Sequence, residues 1–540
     1  MSLREDINLD GSLATMAFLR GRHQLTRYCK LSSRKAAILS FIIIAVVIMR
    51  FFMDSRDFSR VNFHAPLSGQ AKVIVTKIVN IKMREEIARI EEHFVSICLT
   101  WRTILEWNFN YTTEKRIITL MKALSPAYVR IGGDRSQFVL FQAVKGKENK
   151  LLGIKTFNIS GEELDRINWV TEMAGVKVIF SLNFLKRFVN GSWDPSNALK
   201  IIKYVAERGY KFKWELGNEP NHLRRFGVTI PPEQLAEDFK QLRGLLSTIP
   251  GVHNFLVGPD VTQPRGNAMG YLQRFLKKGS SSLDAVTWHH YYVRGEHCSL
   301  PQFYVPQTLD TLLRDIKEVD EVISQYAPGL PRWFGETASV SGGGADGISG
   351  RFVAGFMWLN KLGMAAQHGY EVVLRQTMFQ GHYALVGQNF CTTQDYWLSL
   401  LHKKLVGAIV LGVRSGLYPH EMVRVFAHCT NTKSGLYKRG AITLMAMNLH
   451  PEREANLTLK DIPDHDIDEF LFTPDGDITS RRIKLNGKVL EMGPGSFFPT
   501  FQPIRIPRAN QVILPPLTYA FYVVPEANAK ACLESTKKRP

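Results

Sequence analysis

Residues 213–220 read KWELGNEP, with two carboxyl groups, Glu215 and Glu219, flanking a Gly-Asn pair and closed by a proline. A third glutamate, Glu336, stands near the end of a second short apolar run, RWFGET. Between them TWHHYY supplies His289, His290, Tyr291 and Tyr292. Two carboxyls brought together from separate elements suit hydrolysis of a glycosidic bond. One protonates the leaving oxygen and the other, roughly 5–5.5 Å away, attacks the anomeric carbon and gives retention. The acid must be neutral before attack, so its surroundings must raise its pKa. Strand alternation keeps Glu215 within its strand, where it is paired inside or faces out. Glu219 follows Gly217, where strand gives way to loop, and suits the acid/base; Glu336 supplies the second carboxylate.

Other chemistries fit less well. The two histidines are adjacent rather than four apart, which argues against a metal pair. SGGGADGISG (341–350) lacks the lysine of a phosphate-binding loop and reads as a close-approach loop beside a sugar. The six cysteines, Cys29, Cys98, Cys298, Cys391, Cys429 and Cys532, have no metal-ligand spacing. No metal and no cofactor are expected.

Elements must bring the glutamates together. From residue 93 short apolar runs alternate with amphipathic stretches. Strands are expected at 94–99, 127–133, 176–183, 211–218, 255–261, 285–292, 332–337 and 371–378, with helices such as 233–246 and 311–327 between them. Eight such units predict an α/β fold, a (β/α)8 TIM barrel over 93–407, whose catalytic groups sit at strand C-termini. A doubly wound sheet is the rival, weakened because no GxGxxG follows the first strand. From 408 to 540 helical segments give way to strands such as 424–430, 441–449 and 511–524, read as a β-sandwich domain. An early strand at 71–79, within a stem of residues 54–92, has no place in the barrel and is expected to pair with the sandwich.

The chain has 540 residues and a formal charge of +19. That excess points to a polyanion: nucleic acid, anionic membrane or sulfated polysaccharide. An uncharged run, AAILSFIIIAVVIM, follows a basic flank and is followed by Arg50 and FFM. It reads as a signal anchor over 36–53, with residues 1–35 cytosolic and the remainder lumenal or outside, as a single-pass type II membrane protein. A cleaved secretory signal is the alternative. Sequons at Asn110, Asn158, Asn190 and Asn456 all follow this run and fit a glycosylated lumenal chain.

WELGNEPN (214–221), TWHHYY, GET followed by GGGA, AGFMWLNKLG (354–363), DYWLSLLHKKLVG (395–407) and HCTNT (428–432) together resemble the heparanase family, glycoside hydrolase family 79. The resemblance implies a barrel with a β-sandwich and retaining endo-β-glucuronidase action on heparan sulfate or heparin, not nucleic acid. It implies Glu219 as acid/base, Glu336 as nucleophile and Asn218 as the residue holding the sugar. Gln263, His289, Tyr291, Gly342, Gly343 and Tyr383 match cleft positions, and Cys429 and Cys532 match a family disulfide. The chain departs from the pattern at Thr100, at Ser341 and at Arg265-Gly266, which bear on sulfation preference. A short connection around VKGKENKLLGIK (144–155) replaces a long excised linker, so an active single chain is expected. Arg224, Arg225, Arg265, Arg274, Lys277 and Lys278 follow barrel strands and are candidates to line a cleft for sulfates. Two rival readings remain: a non-catalytic heparan-sulfate-binding relative, and an exo-acting β-glucuronidase.

Overall fold

A computed structural model describes residues 74–105, 111–142, 150–414, 420–460, 462, 464–493 and 497–534. The tail 1–35, the expected anchor 36–53, the stem to residue 73, Asn110 and the first half of the short connection, 144–149, lie outside the described residues. Among those described, no helix is long and apolar enough to cross a membrane.

All eight expected barrel strands form: β2 (Val95–Thr100), β3 (Tyr128–Gly132), β4 (Lys177–Leu182), β5 (Lys213–Leu216), β6 (Leu256–Val261), β7 (Ala285–His290), β8 (Arg332–Thr337) and β9 (Val372–Arg375). Each pairs in parallel with the next, and β9 closes onto β2. A helix follows every strand: α1 (Tyr111–Ala123), α2 (Gly161–Ala174), α3 (Ser196–Glu207), α4 (Pro232–Thr248), α5 (Asn267–Gly279), α6 (Thr311–Tyr326), α7 (Ala354–Gln367) and α8 (Gln394–Leu405). Strands such as β6 and β7 are buried along their whole length, as a sheet covered on both faces requires. Most of the helices bury one stripe, on α4 Leu235, Ala236, Phe239, Leu242 and Leu246, whereas α7 and α8 are buried nearly all round. Phe239 lies so close to Gly258 of β6 that a Cβ there would come within 2.4 Å of its ring. Phe239→Ala would cost about 3–5 kcal/mol.

The sandwich begins where α8 ends, at β10 (Val406–Val413). It continues through β11 (Val423–Thr430), β12 (Ile442–Asn448), β13 (Glu454–Lys460), β14 (His465–Pro474), β15 (Ile483–Leu485), β16 (Lys488–Val489), β17 (Ile504–Ala509), β18 (Gln511–Leu514) and β19 (Thr518–Val524). The run expected as one strand over 511–524 is two, because Pro515 and Pro516 donate no hydrogen bond to a ladder.

The early strand, β1 (Ile74–Arg89), outruns its expected end at residue 79. Ile74–Asn80 pairs in parallel with β13, and Ile81–Arg89 pairs antiparallel with β10 across register shifts between Lys82 and Ala88. Such irregularities let one strand leave one sheet and join another. Val79 and Ile81 of β1 meet Leu411, Val425, Leu444, Leu457 and Tyr522 in a single apolar core. Cys429 on β11 is bonded to Cys532 across 103 residues, a closure that stabilises by about 4–5 kcal/mol in the chain-entropy model. Cys98, Cys298 and Cys391 are free.

Candidate active site

β5 stops at Leu216 because the chain turns sharply. Gly217 takes φ 80°, and a Cβ there would meet the Phe184 ring at 2.3 Å. Glu219 itself adopts φ 48°, a left-handed conformation that costs a non-glycine residue about 1–3 kcal/mol. Its amide donates to the Asp260 carbonyl at 3.0 Å, which fixes the turn against β6. Glu336 is the penultimate residue of β8. Ligating atoms of Glu219, His289 and Glu336 all lie within 4.8 Å of one another. This spacing would suit a cation, but each group already has a protein partner.

The organising residue is Arg130 of β3, wholly buried and absent from the candidates that the motifs suggest. Its Nε and Nη2 donate to the two oxygens of Glu215 at 2.8 and 2.7 Å. Nη1 donates to Glu336 Oε2 at 2.9 Å, and Nη2 also reaches Asn218 Oδ1 at 2.8 Å. Asp260 Oδ2 lies 3.3 Å away. Glu215 is therefore paired inside the barrel and holds the arginine rather than a substrate. Gln137 donates to the Asn218 carbonyl at 2.6 Å and supports the same loop.

His289 links Asp260 to Glu219. Its Nδ1 is 3.0 Å from Glu219 Oε1 and its Nε2 is 3.3 Å from Asp260 Oδ1. Burial alone would lower its pKa, but the Glu336, Asp260 and Glu219 carboxylates raise it to about 10. The same contact acts on Glu219. Burial pushes it up, yet the hydrogen bond and charge of His289 leave it below its ordinary value. The expectation that its surroundings raise Glu219 therefore fails, because the neighbouring imidazole favours the carboxylate. Asp260 is likewise held low, chiefly by Arg130 against its burial. Glu215 is pushed well above its ordinary value, by burial and by Asp260 beside it, despite Arg130. Two cations face four carboxyls here, and this excess of negative charge adds to the burial that lifts Glu215.

The other expected site residues divide. Tyr291 donates its hydroxyl to Glu336 Oε1 at 2.6 Å, and the Tyr383 ring stacks on Tyr291 at 6.4 Å. Gly342 and Gly343 carry φ 73° and 88°, and the Gly343 carbonyl accepts from the His382 amide at 2.7 Å. Gln263 and Arg265 are engaged elsewhere. Both donate to the buried Asp315 of α6, Arg265 at 3.0 and 2.7 Å. Arg225 pairs with Asp134. Lys277 and Lys278 do not line the cleft. They lie in the last turn of α5, and a helix in a βα unit runs back from the strand's C-terminal end. Arg274 sits 3.3 Å from Glu233. The Thr100 hydroxyl lies 3.2 Å from that of Thr103, and Ser341 pairs with Arg294 in a short two-stranded sheet. Of the described sequons, Asn158 and Asn190 are exposed, whereas Asn456 Nδ2 donates to Gln511 at 3.2 Å.

Residues 76–363 match the family model for glycosyl hydrolase family 79, N-terminal domain. Heparanase of Gallus gallus is 35% identical over 506 residues, covering 85% of this chain and 97% of its own. Inactive heparanase-2 of Mus musculus is 32% identical over 528 residues, covering 84% and 89%. Among solved structures, a 4-O-α-L-rhamnosyl-β-D-glucuronidase from Fusarium oxysporum 12S matches with a TM-score of 0.61 at 15% identity. The match covers 83% of this chain and 100% of that one, a likeness of fold.

Proposed function

The chain belongs to glycosyl hydrolase family 79 and is a glycoside hydrolase; from that premise we propose that it is a retaining endo-β-glucuronidase acting on heparan sulfate. Glu219 is the acid/base and Glu336 the nucleophile. Similarity alone does not decide this, since an active and an inactive relative resemble the chain to nearly the same degree. The observation that carries the reading is the approach of the two carboxylates, with an oxygen of each within 4.8 Å of the other. Inverting enzymes hold their carboxyls roughly 6.5–9.5 Å apart to admit a water.

Glu336 attacks the anomeric carbon of a glucuronate, and the bond from that carbon to the next sugar's oxygen breaks. Arg130 and the Tyr291 hydroxyl hold the two Glu336 oxygens in line for this step. Glu219 hands a proton to the leaving oxygen. The raised His289, 3.0 Å from Glu219, is the source of that proton. Attack consumes the Glu336 charge, one of the carboxylate influences that raise His289, and so favours passage of the histidine's proton to Glu219 as the bond forms. Water then cleaves the glycosyl-enzyme, and Glu219 accepts its proton. Arg130 and Asn218 keep the loop and the sugar in register throughout.

The chain acts without proteolytic excision, a reading supported by the shortness of the 144–155 connection. It sits in a membrane by residues 36–53 with its catalytic part lumenal, a reading supported by the basic flank and apolar run; carbonate extraction of cell membranes checks it. The test of function uses the full chain with heparan sulfate, and gel filtration reads fragment length. The intact chain is expected to shorten the polymer, and Glu219→Gln and Glu336→Gln to leave it whole. Salt-sensitive binding without shortening supports the non-catalytic alternative. Release of monosaccharide from an otherwise uncut polymer supports exo action.

A further inference from the structure

Asp134 follows Gly133 just beyond the end of β3, outside every motif that points to the site. Its Oδ1 accepts an N–H from Asn218 Nδ2 at 3.2 Å and another from Arg225 Nη2. Its side chain is 47% exposed, and Oδ2 has no partner among the described residues. Partial desolvation raises its pKa; Arg225 opposes this, and the Glu219 and Glu336 carboxylates add to it. A third carboxyl thus stands in the field of the catalytic pair, touching the side chain that holds the sugar.

We propose that Asp134 is a specificity-determining residue: it accepts a free hydroxyl of the glycan beside the sugar held by Asn218, and it rejects a sulfate at that position. The substrate class is then a glucuronate–glucosamine segment left unsulfated where it is cut. This rests on the glucuronidase reading above. A carboxylate only accepts hydrogen bonds. A sugar hydroxyl has a proton to give it, whereas a sulfate brings a second negative charge. Like charges forced together in a cleft discriminate by repulsion, the usual means of excluding a near-substrate. Arg225 does not relieve the conflict. Its charge is already shared with Asp134 through Nη2, and drawing it onto a sulfate would strip Asp134 of its cation beside two glutamates, leaving it only the Asn218 amide. Arg225, expected as a sulfate contact, instead steadies the carboxylate that turns sulfate away.

The experiment compares cutting of unsulfated heparosan and of heparin by the full chain, with kcat/KM taken from fragment release. The wild-type protein is expected to prefer heparosan. Asp134→Asn keeps an acceptor for Asn218 and removes the charge, so the heparin-to-heparosan ratio should rise at least about tenfold. Arg225→Gln leaves Asp134 unneutralised, and the ratio should fall. Equal losses on both polymers in both variants would mean that Asp134 merely braces Asn218, and would overturn the inference while leaving the glucuronidase intact. A wild-type preference for heparin also overturns it. A wild-type protein that cuts neither polymer, with heparan sulfate also uncut, brings down the glucuronidase reading together with this one.

Discussion

His289 and His428 are both fully buried, yet one is held charged and the other neutral. His289 stands at the C-terminal ends of the barrel strands among Glu219, Asp260 and Glu336, which raise it to about 10. His428 lies on β11 where the sandwich meets α8, its ring 6.3 Å from that of His402, which in turn stacks on Phe94 just before β2. The nearest help for His428 is the Gly407 carbonyl at 3.1 Å, and burial lowers it to about 4. Both sites remove water. The difference lies in what replaces it: anionic oxygens that favour the imidazolium, or a neutral carbonyl that does not offset the lost hydration. One cluster carries charge for chemistry, and the other sheds it to hold two domains together.

The sharpest way to break this contrast is to remove the arginine that makes the charged cluster tolerable. Arg130→Met should abolish cutting and cost about 3–5 kcal/mol, because it strands several carboxyls in a dry interior. Urea unfolding beside the activity assay reads both losses. An unchanged midpoint would show that the cluster is better hydrated than its burial indicates.

His289→Gln should lower kcat by roughly 10²-fold, the usual scale for a lost proton-transfer partner. It should also change the pH dependence of stability. Folded His289 keeps its proton to about pH 10, while the unfolded chain releases it near the ordinary 6.5. Its contribution is complete below pH 6.5 and is lost as pH rises through 10. Thermal melts between pH 7 and 10 should therefore slope less steeply in the variant.

His428→Phe should have the smallest effect and the opposite sign. The folded protein refuses a proton on His428 until about pH 4, while the unfolded chain takes one near 6.5. That contribution is present above pH 6.5 and fades as pH falls toward 4. The variant should lose less Tm between pH 7 and 4.5 than the parent. An unaltered acid slope would mean that other buried groups, His402 among them, dominate the acid response.

Much of the barrel and its catalytic pair is legible in the sequence. Alternating apolar runs and amphipathic stretches carry the barrel, since its strands are buried on both faces and most of its helices on one, α7 and α8 being buried nearly all round. Glu219 and Glu336 stand out because a carboxyl at a strand end must be accounted for. Arg130 is visible only when the same rule is applied to cations. It lies inside the apolar run AYVRIGG as Glu215 lies inside KFKWELGN, and two opposite charges within barrel strands can be matched. Asp260 is harder to see. It sits at an irregularity within β6, at a left-handed φ of 53°, which no local pattern announces. The engagement of Gln263 and Arg265 is hidden for another reason: Asp315 belongs to an amphipathic helix whose charges all look solvated until the fold buries one.

β1 has a consequence for how the protein is made. It emerges from the ribosome before any barrel strand, yet its partners are β10 and β13, hundreds of residues later. Throughout that interval the nascent chain carries a sticky ribbon, IVTKIV, with no edge to join. The barrel can begin to assemble as it emerges, but the sandwich cannot be sealed until the last quarter of the chain arrives to claim its first strand. Chaperone dependence, and a sensitivity of yield to mutations in β1 that folded-state stability would not foretell, are written into the order of the elements.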